Sequence, residues 1–139
     1  MKYYPYPKTD PVKDYIPIPK QITKLGLNSG EIAVYTCLMD LENRITYQCY
    51  PSYKTIGKAI GMSVNTVKKY VDSLVEKKLI SVEPTKVRLK NGKVRNGNLL
   101  YTIRPIHEAV EYYYEQQLVE LEKNYKIQKV LKQQSKFAV

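Results

Sequence analysis

Residues 51–80, PSYKTIGKAIGMSVNTVKKYVDSLVEKKLI, constrain this chain more than any other stretch. Their pivot is Gly61. Glycine accepts positive φ without a Cβ clash, so it can end a helix in a left-handed cap. Before it, a short helix over 52–60 carries Ile56 and Ile60 four residues apart. After it, Ser63 offers a hydroxyl to the unpaired N–H groups of a second helix, 63–78. That helix puts Val64, Val67, Val71, Leu74 and Val75 on one face at spacings of three and four. The other face shows Asn65, Thr66, Lys68, Lys69 and Asp72.

Two helices crossing steeply over so short a turn need a small residue at their closest approach. Gly57, four before the turn glycine, supplies it. Met62 and Val64 flank the cap serine, Val67 follows the glycine by six, and Tyr70 by nine. This order of small, apolar and turn-forming residues is that of a helix-turn-helix. An ordinary αα-hairpin would want the same valines in its core. It would not need an exposed face that is short, polar and cationic.

The charge distribution points the same way. The formal net charge is +10, and residues 51–104 hold twelve Lys/Arg against three acids, or +9 of it. Localised positive charge beside a helix-turn-helix is the footprint of a phosphate-binding surface. Residues 80–103 read as a β-hairpin, with Ile80 and Val82 alternating, then Val87 and Leu89, then Leu99, Tyr101 and Ile103. The tip is Lys90-Asn91-Gly92-Lys93, and Asn-Gly is a strong hairpin signal. A second Asn-Gly, at Asn96-Gly97, marks a bulge or an alternative turn. Lysines on edge strands guard against aggregation. Lys86, Arg88, Lys90, Lys93 and Arg95, with no acid among them, exceed that need. A basic hairpin directly after the second helix is a wing.

On these residues the segment 28–103 resembles a winged helix-turn-helix domain. The type is that of Gram-positive plasmid and phage replication initiators and small regulators. Two stretches carry the likeness: YPSYKTIGKAIGMSVNTVKKYVDSLVEKKLIS, and NLLYTI closing the wing. The resemblance implies a three-helix core, a small sheet and a recognition helix that enters the major groove. It leaves the biological task open, because such domains serve regulators, replication initiators and relaxosome accessory factors alike.

Around this centre the chain divides into three. Residues 1–19 contain five prolines and many tyrosines, and read as an extended, partly docked arm; the alternative is a mobile arm whose Lys2, Lys8 and Lys13 touch DNA. Residues 20–104 form the winged domain. They open with a one- to two-turn helix ended by Gly26. A helix of about 28–43 follows, with Asn28 and Glu31 spaced as a capping box. Its apolar residues wrap more than one face, so it should be central. Ile45–Tyr50 reads as a short strand. Residues 105–139 form a long amphipathic helix with a frayed basic tail. Its stripe, Val110, Tyr114, Leu118, Leu121 and Tyr125, needs a partner, either its own central helix or a second subunit. A homodimer through this helix suits the two-fold habit of DNA readers. Its first half is acidic and its second half basic, so an antiparallel partner would set unlike halves together. The fold class is therefore mainly α with a small β-hairpin wing, α+β, plus the C-terminal helix.

Enzymatic chemistry is not expected. His107 is the only histidine, the aspartates are scattered, and no phosphate-loop or nucleophile motif occurs. No catalytic residue, metal or cofactor is assigned, and no small-molecule ligand or membrane partner is evident. Cys37 and Cys49 make no CxxC and read as reduced thiols, one buried and one partly exposed, in a cytoplasmic protein. The expected partner is double-stranded DNA. Asn65 suits the bidentate contact to adenine, Thr66 a thymine methyl or a base acceptor, and Lys69 guanine O6/N7. Ser63, Lys68, Tyr53, Lys54 and Lys58 would hold phosphates, and the five wing cations would lie along the backbone or in the minor groove. A transcriptional regulator is the first reading. A replication or transfer accessory protein of a mobile element is the alternative, and a winged-helix protein-interaction module the rival from another class.

Overall fold

The computed structural model describes residues 14–137. Most of the expected N-terminal arm, including Lys2, Lys8 and Lys13, lies outside the described residues. Of its end, Ile16 and Ile18 pack against the core while Tyr15 is exposed. A 3₁₀ helix, Lys20–Lys24, follows. Gly26 behind it takes φ +69, as a chain leaving a helix requires.

Helix α1, Ser29–Leu41, starts at Asn28, whose side chain accepts from the Glu31 N–H at 2.8 Å while Glu31 reaches back to the Asn28 N–H. It is the central helix expected. It packs against α2 (Tyr53–Ile60), α3 (Val64–Glu76) and strand β5 (Leu100–Ile103). Val34, Leu38, Ile56, Val67, Val71 and Leu74 lose all solvent at this junction, and Tyr35 and Tyr101 nearly all. Glu31 has a second task. Its carboxylate, 4% exposed, accepts from Lys77 Nζ at 2.8 Å and Ser73 Oγ at 3.1 Å. The start of α1 is thereby pinned to the end of α3. Lys77 thus joins an ion pair that reaches from α3 to α1.

A three-stranded antiparallel sheet closes the core in the order β1 (Gln48–Cys49), β5, β2 (Ile80–Glu83). Strand β1 is shorter than the 45–50 expected. Asn43 is the reason. Its side chain accepts from the N–H groups of Ile45 and Thr46 at 2.8 and 3.3 Å and bends the chain away from the sheet. Tyr47 then needs φ +59 to rejoin it.

The hairpin after α3 is two ladders rather than one. Glu83 pairs with Leu100, but Lys86 pairs with Asn96, so the return limb carries one residue more than the outgoing limb. The outer ladder joins β3, Lys86–Arg88, to β4, Val94–Asn96. The break is a bulge. Pro84 has no N–H to continue the inner ladder, and the Gly97 N–H bonds to Thr85 O at 2.8 Å instead. A Cβ on Gly97 would lie 2.6 Å from Thr85 Oγ1, so the second Asn-Gly is where the strand can pass.

Helix α4, Ile106–Phe137, packs only its opening turns on the domain. Ala109 is buried, and Ile106, Val110 and Tyr113 rest on the core. Beyond them the helix projects, so its stripe does not cover α1. Both thiols are buried, which corrects the expectation of one partly exposed. Burial and then the Glu42 carboxylate push Cys49 up to about 11.

Candidate nucleic-acid interface

The interface is built from the α2–α3 turn outward. Ser52 caps α2 through the Thr55 N–H at 3.1 Å. Gly61 ends it at φ +70, ψ +40, a left-handed cap. The Met62 N–H bonds back to Gly57 O at 2.9 Å. Here the helices meet most closely, since a Cβ on Gly57 would stand 2.4 Å from the Met62 carbonyl oxygen. Ser63 then caps α3 through the Thr66 N–H at 3.3 Å.

The polar face of α3 remains open. Asn65, Lys68 and Lys69 are exposed and Thr66 is half-buried. None is covered by another element, and Lys69 Nζ sits 5.8 Å from the Tyr70 ring centroid. The hydroxyls of Ser63 and Thr66 share a hydrogen bond of 2.8 Å, so part of their capacity is spent within the cap. The Thr66 methyl is not. Val64, expected on the buried face, is 47% exposed because it is the first residue of α3, ahead of the helix crossing.

Lys54 and Lys58 are exposed on α2. Tyr53 differs from them. It packs against the core, and burial, with Asp72 second, raises its hydroxyl above the ordinary tyrosine range. Lys86, Arg88, Lys90, Lys93 and Arg95 are all exposed. The register sorts them. Lys86 and Arg88 stand two apart on one face of the ribbon, whereas Arg95, opposite Val87, stands on the other. Lys90 and Lys93 occupy the tip, closed by the Gly92 N–H to Leu89 O at 3.0 Å with Gly92 at φ +81. Asn98 Nδ2 donates to Tyr50 O at 3.2 Å and ties the wing base to the loop before α2.

Three features escaped the sequence reading: the Glu31–Lys77 pair, the Ser63–Thr66 hydroxyl bond and the Asn98 tie. Only the second had a visible signal, the repeated S-x-x-T of Ser52/Thr55 and Ser63/Thr66. In the stripe on α4, Val110 is taken up by its own domain, while Tyr114, Leu118, Leu121 and Tyr125 are 61–67% exposed. Among the described residues no group of His, Cys, Asp or Glu could hold a metal ion, and no helix is long and apolar enough to cross a membrane. A cleft of about 740 Å³, lined by Tyr35, Glu42, Tyr47 and Ile106 among others, includes none of the residues assigned to DNA.

Three helices, a small sheet and a basic two-stranded wing make a winged helix-turn-helix, the fold the resemblance implied. Residues 25–80 match the family model described as a helix-turn-helix domain. Two solved structures are similar in part. One is a possible transcriptional regulator from Methanosarcina mazei Go1, at 18% identity and TM-score 0.47, covering 75% of this chain and 81% of that one. The other is a probable transcriptional regulator from Pseudomonas aeruginosa, at 20% identity and TM-score 0.37, covering 76% of each chain. No curated protein matches.

Proposed function

We propose that the helix-turn-helix domain at residues 25–80 makes this chain a sequence-specific reader of double-stranded DNA, acting as a small cytoplasmic transcriptional regulator. The observation that carries the reading is the open cationic and amide-bearing face of α3, flanked by a wing without an acid from 86 to 95. Asn65, Thr66 and Lys69 read base edges in the major groove. Ser63, Lys68, Lys54 and Lys58 hold phosphates and fix the register. Tyr53 contributes less, because its ring is committed to the core. The wing cations take the backbone or the minor groove. A protein-interaction module would present an acidic or apolar face here instead.

The chain acts as a homodimer through the free part of α4, Tyr114, Leu118, Leu121 and Tyr125. Val110 has no share in that contact, being occupied at home.

The test is a binding titration on duplex DNA at several salt concentrations, with heparin as competitor. With roughly six phosphates neutralised, log K should fall against log[salt] with a slope near −5. A flat salt response, or equal affinity for heparin and for the best selected duplex, would reject a sequence reader. Sites selected from random duplex should be palindromic, with half-sites about ten base pairs apart or a multiple of that.

A further inference from the structure

We propose that α4 pairs with α4 of a second copy in antiparallel orientation, about a two-fold axis passing between Val119 and Glu120. This deepens the dimer reading above and rests on it.

The register comes from the stripe itself. Tyr114, Leu118, Leu121 and Tyr125 are spaced four, three and four, and the order of residue types is the same read from either end. Tyr114 precedes the point between Val119 and Glu120 by as much as Tyr125 follows it. An antiparallel copy therefore sets Tyr114 against Tyr125 and Leu118 against Leu121, in four matched layers. At about 100° per residue the four fall within about 60° of helix surface. They lie roughly 130° from the face that holds Ala109 and Tyr113 on the domain. Docking on the domain thus leaves the stripe free, as its exposure of 61–67% records.

Direction is set by charge. The flank beside the stripe repeats every seven residues: Glu108, Glu115 and Glu122, then Lys129 and Lys136. The other flank, Gln117 and Asn124, is neutral. A parallel pair sets acidic halves together and basic halves together, and faces the charged flank with the neutral one. An antiparallel pair sets charged flank against charged flank, with Glu108 near Lys129 of the second copy. Only Glu115 and Glu122, beside the axis, then meet like charge. Over the whole helix each acidic half lies along a basic half. The two α4 starts would stand about 40 Å apart along the axis, at opposite ends of the pair. That separation is comparable to one turn of duplex DNA.

The experiment is disulfide cross-linking of full-length Y114C and Y125C, singly and mixed with distinguishable tags. Both positions are exposed, so the domain should fold unaltered, and the buried Cys37 and Cys49 make the wild type a blank control. The mixture should cross-link between the two variants at least ten times more than either variant alone. The dimer seen in sedimentation should weaken as salt rises, because its charges attract across the pair. Cross-linking of each variant with itself would mean a parallel pair and overturn the proposal. So would a monomer in sedimentation with no cross-link in any mixture. DNA binding is read separately on the wild type. Cross-links without duplex binding would sink the DNA reading alone, and duplex binding without cross-links would sink the pairing alone.

Discussion

Asn65 and Lys93 hold opposite kinds of position. Asn65 lies in the first turn of α3 with its amide in solvent, and Lys93 at the tip of the wing. Asn65→Ala should flatten the preference between cognate and scrambled duplex by about 1–3 kcal/mol. Lys93→Ala should weaken every sequence alike and reduce the salt slope by about one. Parallel titrations on the two duplexes measure both, and identical behaviour would refute the division. Glu31 offers a prediction about stability instead. Glu31→Ala removes a capping-box partner and leaves Lys77 without its carboxylate, so about 2–4 kcal/mol should be lost in urea unfolding. Glu31→Gln retains an acceptor and should lose less. Local spacing announces the cap formed by Asn28 and Glu31. Nothing local announces Lys77, which stands 46 residues on.

The elements were legible wherever one residue type settles the backbone. Gly61 ends α2, Ser63 begins α3, and both helices lie within a residue or two of their expected limits. Strands were less legible, because alternation gives the faces of a strand and not its interruptions. The 45–50 strand shrank because an asparagine side chain competes with the sheet for backbone donors. The hairpin split where a proline and an extra residue displace the register. The helix crossing supplies a graded test. A methyl at Gly57 would meet a backbone carbonyl oxygen at 2.4 Å, whereas a methyl at Gly30 would meet the Tyr70 ring at 2.3 Å. A ring can rotate outward, but a carbonyl in the turn cannot. Gly57→Ala should therefore cost about 2–3 kcal/mol in thermal or urea unfolding, and Gly30→Ala less. A larger loss at Gly30 would show that the Tyr70 contact, rather than the turn, governs how α3 seats.

At the scale of the whole molecule, the core commits acidic hydroxyls and thiols to their neutral forms. Burial, with Glu42 second, pushes Tyr35 up to about 12, burial takes Cys49 up to about 11, and Tyr101 rises for the same first reason. The unfolded chain ionises these groups first, near their ordinary values of 9.0 and 10.0. Their stabilising share is complete below that range and is lost as pH climbs through the folded values. The urea midpoint should accordingly fall from about pH 9 upward, with the share of the tyrosinate absorbance that belongs to the buried Tyr35 and Tyr101 appearing together with unfolding. A midpoint level to pH 11 would mean these groups titrate in place. The reach of α4 was visible in the sequence, but not how its surface is shared. Periodicity ran Val110 into the same stripe as Tyr114, although the domain takes up the first and leaves the second in solvent.

The single surplus residue at Gly97 decides how the wing can be used. With Lys86 and Arg88 facing one way and Arg95 the other, a ribbon laid flat on one strand would waste half its charge. Set edge-on between two sugar–phosphate walls, it has an anion on either side, and the narrow groove of an A·T-rich tract provides such walls. Duplexes whose flanks are changed from A·T to G·C, with the half-site untouched, should then bind less tightly.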